Sequence, residues 1–183
     1  GDGTLLRMAG ETEDIDIPLF GINLGTVGFL TEGEVANIEE ILDRLLTDDF
    51  AIEERMMVTG TVTKADGTMY RKSALNDIVI SRAGFSRLIG LNVSVDGQVL
   101  DTYEADGVVI STPTGSTGYN LSAGGPIVSP DAELLVITPV SPHSLTAKSI
   151  VLSGKEEITI EITKKRKTQD TEAICSFDGG NDV

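Results

Sequence analysis

The chain has 183 residues, 40% of them hydrophobic and 4% aromatic, with 14 Lys and Arg against 29 Asp and Glu and a formal charge of −15. That length holds one domain or two small ones around a real core, and the hydrophobic fraction excludes disorder as the main state. The negative charge excludes a general electrostatic grip on nucleic acid, which needs a basic face, so an anionic substrate has to be met by local backbone donors or a metal.

The single Cys175 cannot form an intrachain disulfide, no signal peptide is visible, and no apolar run approaches the ~18 residues of a membrane span. These features predict a cytoplasmic protein without membrane contact. The chain opens at Gly1-Asp2-Gly3-Thr4 without an initiating Met, and it reads as a fragment or as the ordered part of a longer protein.

Charge and texture both change near residue 50. Residues 1–50 carry two basic and twelve acidic side chains, and residues 51–183 carry twelve and seventeen. The first part looks α/β. The apolar run from Pro18 to Leu24 ends in glycines and predicts a buried strand. Thr31-Glu32-Gly33-Glu34 places acids where a helix N-terminus favours them. Val35, Ile38, Ile41, Leu42, Leu45 and Leu46 then share one face of an amphipathic helix that ends near Thr47.

From about Ala51 the period is two. Met57–Thr63 alternates up to Asp66-Gly67, and Leu91–Val95 alternates up to Asp96-Gly97. Asp-Gly between alternating runs signals a hairpin, because a type I′ turn needs positive φ at both central residues. Further strands are expected at Asp77–Ser81, Gly107–Ser111, Leu134–Thr138, Ser149–Leu152, Ile158–Ile162 and Ala173–Phe177. The second part therefore reads as an antiparallel β-sandwich over residues 51–183, after a partial α/β domain over residues 1–50. The basic run Lys164-Lys165-Arg166-Lys167 fits a solvated turn between strands, with a phosphate-facing role as the alternative.

Four segments can carry chemistry. Gly1-Asp2-Gly3-Thr4 is small and flexible, so its N–H groups can approach a phosphate, and Asp2 beside it can accept a proton or help hold a metal. A plain turn is the alternative, since the chain has five Asp-Gly pairs. Around Thr26-Val27-Gly28-Phe29-Leu30, the glycines at 21, 25 and 28 suggest close backbone approach at a strand end, where open α/β sheets bind ligands. Phe29 there covers a base, or belongs to the core. In Leu75-Asn76-Asp77, an Asn amide can pair with an adenine edge and a carboxylate can accept from ribose hydroxyls; a strand-start turn is the competing reading.

The fourth segment carries the strongest signal. Gly107 through Pro130 has no charged residue in a chain that is 23% charged. It holds Ser111-Thr112-Pro113-Thr114-Gly115-Ser116-Thr117-Gly118-Tyr119 and continues to Ser122 and Gly124-Gly125. Neutral donors, close backbone approach and a stacking platform in Tyr119 suit an anionic nucleotide on an acidic protein; a low-complexity Gly/Ser linker is the competing reading. His143 is the only histidine, which excludes a multi-histidine metal site, and it reads as structural.

Together these segments resemble the NAD kinase family over nearly the whole chain. Gly1-Asp2-Gly3-Thr4 is similar to its Gly-Gly-Asp-Gly-Thr motif, which diacylglycerol and sphingosine kinases and phosphofructokinases share. Asn76-Asp77 is similar to its Asn-Glu/Asp motif, and Asp106-Gly107 with Ser111 to Tyr119 to its glycine- and hydroxyl-rich signature. The resemblance implies that Asp2 is the general base for the adenosine ribose 2′-hydroxyl of NAD. It places Gly3 and Thr4 against phosphate, Asn76 and Asp77 on the adenosine, Thr114, Thr117, Gly118, Tyr119 and Ser122 around adenine and ribose, and Phe29 on the same pocket. Asp106 and Ser141 match positions that reach the nicotinamide half, often across a subunit contact.

The resemblance further implies NAD in the crevice of the fold, ATP or polyphosphate as donor, and Mg²⁺ arriving with the nucleotide rather than in a protein cage. It implies a homodimer or homotetramer, with no nucleic acid or membrane partner. Departures are Gly118 in place of Ala, Glu104 in place of Arg or Gly, Lys148 in place of Arg, and Asp178-Gly179-Gly180 in place of Asp-Gly-Gln. The family's N-terminal strands and final helical segment have no counterpart here. A lipid kinase sharing the first loop and a non-catalytic dinucleotide sensor are the alternatives.

Overall fold

The computed structural model describes residues 2–25, 28–84, 88–163 and 172–181. Gly1, Thr26-Val27 and the basic run at 164–167 lie outside the described residues. The chain divides into two compact units, Gly1–Glu54 and Arg55–Val183.

In the first unit, helix α1 spans Asp2–Glu11. Leu5, Leu6, Met8 and Ala9 are strong helix formers, and Asp2 in the first turn complements the helix dipole. Thr12 closes the helix, its N–H and Oγ1 both donating to Met8 O at 3.0 and 2.8 Å. Strand β1 (Ile22–Asn23) pairs in parallel with β2 (Gly33–Glu34). A 3-10 turn over Val35–Asn37 then leads into helix α2 (Ile38–Leu46).

This corrects two expectations and adds one element. Only Ile22–Asn23 of the Pro18–Leu24 run is strand. Glu34 belongs to β2, so the helix starts later than its acids suggested. The helix over 2–11 was not foreseen, because glycines at 3 and 10 mask its period. The apolar stripe of α2 is real, yet no residue of α2 is buried.

The second unit is two antiparallel sheets and a hairpin. Strands β3 (Val58–Thr63) and β4 (Met69–Ala74) form the hairpin. Then follow β5 (Asp77–Arg82), β6 (Ile89–Val95), β7 (Gln98–Ala105) and β8 (Gly107–Ser111). After a 3-10 turn (Thr114–Thr117) and the short helix α3 (Tyr119–Ser122) come β9 (Leu134–Val140), β10 (Ile150–Ser153), β11 (Ile158–Thr163), β12 (Ala173–Phe177) and β13 (Gly180–Asn181). The larger sheet runs β10-β9-β8-β5-β12-β13 and the smaller β11-β6-β7.

Period-two alternation builds the core. Phe177, Ile78, Ile110, Ile137 and Ile150 stand opposite one another across five neighbouring strands. The first four are buried and cluster with Leu91, Val93 and Tyr103 from the smaller sheet. Such cross-strand pairs are the unit of sheet stabilisation. The opposite face of β5, β8 and β9 carries Asp77, Val79, Val109, Ser111 and Thr138, and the uncharged segment covers part of it.

Asp96 and Gly97 take φ of 48° and 77°, as a type I′ hairpin requires. The other expected I′ turn differs. Only Gly67 is left-handed, at 87°, and Gly67 N–H donates to Lys64 O while Asp66 Oδ1 accepts from Thr68 N–H. This longer turn absorbs one more residue before Gly67 provides the positive φ.

Candidate functional site

Within the first unit the site centres on Asp2. Its Oδ2 accepts the Phe29 N–H at 2.9 Å and its Oδ1 the Leu30 N–H at 3.3 Å. A Cβ on Gly28 would fall 2.1 Å from Asp2 Oδ1, so glycine at 28 is what admits the carboxylate. Gly3 and Thr4 lie exposed in the first turn of α1, where N–H groups have no partner inside the helix and the dipole favours an anion. Phe29 is 83% exposed; its contact with Asp2 is through the backbone N–H.

In the second unit Asn76 and Asp77 sit where β4 passes into β5. Their backbone is held from the far end of the chain. The Asp178 carboxylate accepts N–H bonds from Leu75 (2.9 Å), Asn76 (2.7 Å) and Asp77 (3.2 Å), and Asp178 N–H donates to Asp77 O at 3.0 Å. Asp178 and Gly179 adopt φ of 51° and 74° to aim that carboxylate. Asp77 is buried, and its burial, together with the negative Asp178, pushes its carboxyl up to about 6. The Asn76 Oδ1 is buried and unpartnered among the described residues, an acceptor left open for a ligand donor.

The uncharged segment folds against this pair. Thr112 N–H donates to Asn76 O, Thr112 Oγ1 donates to Leu75 O at 2.5 Å, and Gly115 N–H donates back to Thr112 Oγ1. A Cβ on Gly115 would lie 2.0 Å from Asn76 O. The Cβ position of Gly118 is 3.8 Å from Asn76 Nδ2 and 3.9 Å from Asp77 Oδ2, which brings three of the expected ligand residues together. Buried Asn120 locks the rest, its Nδ2 donating to Ser116 O and Pro126 O and its Oδ1 accepting from Thr138 Oγ1. The segment is thus a built platform, not a flexible linker. Thr114 is buried, its Oγ1 accepting from Arg55 at 3.4 Å. Thr117 is half-buried and Ser122 exposed at the end of α3.

Beyond Gly118, the 45% exposed Tyr119 borders a cleft of about 240 Å³. Val79, Arg82, Asp106 and Val140 line it as well. Arg82 Nε pairs with Asp106 Oδ1 at 2.5 Å. Asp106 N–H donates to Val140 O, and exposed Ser141, at φ 48°, follows directly. Ser141 and Ser122 do not line the cleft. Sequence reasoning missed Arg82, whose one signal is a charge closing an apolar strand. It noted Asp178 only as a motif variant, and its Asp-Gly pair was the available clue.

Among the described residues no three His, Cys, Asp or Glu side chains gather as an ion-binding group, and no helix is long and apolar enough to cross a membrane. The ATP-NAD kinase C-terminal domain family matches residues 75–183, and the ATP-NAD kinase N-terminal domain family matches residues 1–50. The NAD kinase of Lachnoclostridium phytofermentans is 49% identical over 98% of this chain and 64% of its own length. That of Agathobacter rectalis is 49% identical over 98% and 62%. Among solved structures, yeast NADH kinase complexed with NADH superposes with a TM-score of 0.86 at 32% identity, covering 98% of this chain and 51% of that one. An NAD kinase from Archaeoglobus fulgidus in complex with ATP gives 0.79 at 32% identity, covering 98% and 66%. The chain therefore spans a little under two thirds of the curated relatives it matches.

Proposed function

The chain belongs to the NAD kinase family, and from that premise we propose that the protein containing it phosphorylates the adenosine ribose 2′-hydroxyl of NAD to give NADP, with ATP as donor. The observation that carries this is the Asp2 carboxylate, fixed by two backbone N–H groups at the start of α1. A ribose hydroxyl is a poor nucleophile, and a positioned carboxylate is the group that takes its proton as the oxygen attacks the γ-phosphorus and ADP departs. The α1 N-terminus at Gly3 and Thr4 supplies donors for the phosphate charge.

The labour divides along the chain, with residues 1–50 as the phosphate-loop domain and residues 51–183 as the dinucleotide-binding sandwich. Asn76, with its open acceptor, and Asp77 hold the adenosine, and Thr114, Thr117, Gly118, Tyr119 and Ser122 frame adenine and ribose. Asp106 and Ser141 face the nicotinamide half, and Phe29, exposed in the first unit, is available to cover a base or ring. A Mg²⁺ would be carried by the triphosphate rather than caged by protein, and Asp2 in the first turn of α1 is the carboxylate that would help hold it. When bound, the ion neutralises charge on the transferring phosphoryl group. A homodimer or homotetramer in the cytoplasm completes the proposal.

The test is NADP⁺ formation by the full-length protein with NAD⁺, ATP and Mg²⁺, alongside Asp2→Asn. Turnover should fall by about 10²–10⁴-fold in the variant while NAD⁺ binding persists. Binding without turnover in the wild type would replace the kinase with a dinucleotide sensor. Neither would return the first loop to a lipid kinase.

A further inference from the structure

The cleft beside Tyr119 holds an ion pair that proton transfer and phosphate binding leave unused. Arg82 is fixed at two points, its Nε donating to Asp106 Oδ1 and its Nη1 to Gly84 O. The backbone is tied as well: Arg82 N–H donates to Asp106 O at 2.9 Å and Asp106 N–H to Val140 O at 3.0 Å. The two side chains are 26% and 36% exposed, so the pair forms cleft wall and not core. Val79, Val140 and Tyr119 give that wall an apolar and aromatic remainder. Asp106 thus lines the cleft with a cation already bound to one of its carboxylate oxygens.

The two redox forms of the dinucleotide differ at one place that such a wall can sense. The oxidised nicotinamide ring is positive and the reduced ring is neutral, while the carboxamide offers the same donors and acceptor in both. A lone carboxylate attracts the oxidised ring, and a guanidinium on the same carboxylate cancels that attraction. We propose that Arg82 is a specificity-determining residue, which by neutralising Asp106 lowers the site's preference for NAD⁺ over NADH. This rests on the reading that Asp106 faces the nicotinamide half, whichever protomer presents it.

Specificity is a difference of two affinities, so a general loss of packing cancels from the ratio. One unit charge a few ångströms from the ring at a half-exposed site changes that ratio by about five- to tenfold. The experiment is calorimetric titration of the full-length protein with NAD⁺ and with NADH, as wild type, Arg82→Gln, Arg82→Lys and Asp106→Asn. Arg82→Gln should shift the ratio of dissociation constants toward NAD⁺ by that factor, and Arg82→Lys should keep the wild-type ratio. Asp106→Asn, which leaves the guanidinium uncancelled, should shift it toward NADH, and it decides the matter if Arg82→Gln fails to fold. Equal weakening of both dinucleotides with an unchanged ratio would reduce Arg82 to a structural brace and overturn the proposal. A wild type that binds neither dinucleotide would instead remove the functional reading beneath it.

Discussion

Asp178 and Asn76 stand 102 positions apart, yet the Asp178 carboxylate accepts the Asn76 N–H at 2.7 Å and takes the N–H groups of Leu75 and Asp77 with it. One side chain therefore satisfies three consecutive partly buried donors at the entrance to β5. Asp178→Ala leaves all three without a partner, and it should cost about 3 kcal/mol in urea unfolding. Dinucleotide affinity should fall at least tenfold in the same variant, because the Asn76 and Asp77 side chains lose their fixed backbone. Full affinity in a destabilised Asp178→Ala would show that the clamp serves folding alone.

Gly115 and Asn76 give a second check. A methyl group at 115 would sit 2.0 Å from Asn76 O, and backbone cannot yield as a side chain does. Gly115→Ala should destabilise by about 1–3 kcal/mol and should abolish measurable NAD⁺ binding by calorimetry. A thermal melt and titration matching the wild type would mean that the 112–118 turn is free to move.

Asp77 predicts a pH signature. Its native carboxyl titrates at about 6 against 3.8 for the free group. Between those values the folded protein holds a proton that the unfolded chain has released. The contribution of Asp77 to stability therefore falls as pH rises from about 4 through 6, and it stays unfavourable above, on the order of 3 kcal/mol. Asp77→Asn removes that penalty. The stability difference between variant and wild type, from urea midpoints, should grow in the variant's favour from pH 4 to pH 7. A difference independent of pH would contradict the assignment.

Gly28 tests the setting of Asp2. An added Cβ would fall 2.1 Å from Asp2 Oδ1, so Gly28→Ala must push the carboxylate off the Phe29 and Leu30 N–H groups. NADP⁺ formation by the full-length protein, on the proposed reaction, should drop about 10²-fold or more, with the melting of the sandwich unchanged. Wild-type turnover would mean that this seat of Asp2 is dispensable.

Much of the second unit is legible in sequence because period-two alternation is a local property of the strand. Ala173–Phe177 and Gly107–Ser111 emerge with the expected bounds. The I′ turn at Asp96-Gly97 is equally local, since it needs only two residues that tolerate positive φ. The first unit was less legible. Its strands are two residues long, too short for a period to register, and glycines interrupt α1.

The candidate site divides along the same line. The residue types of Asp2, Asn76, Asp77 and the uncharged run mark the segments, because each has side chains suited to phosphate, base or ribose. Residue types and local periodicity alone thus mark which segments carry chemistry and which alternate into sheets. Folding in three dimensions adds that Asp178 clamps Asn76, that Arg82 pairs with Asp106, and that Gly28 and Gly115 lack a side chain where Asp2 and Asn76 must fit. Those relations join residues 24 to 102 positions apart or depend on the absence of a side chain. Long-range hydrogen bonds and steric vacancies leave no periodic trace in the chain that makes them.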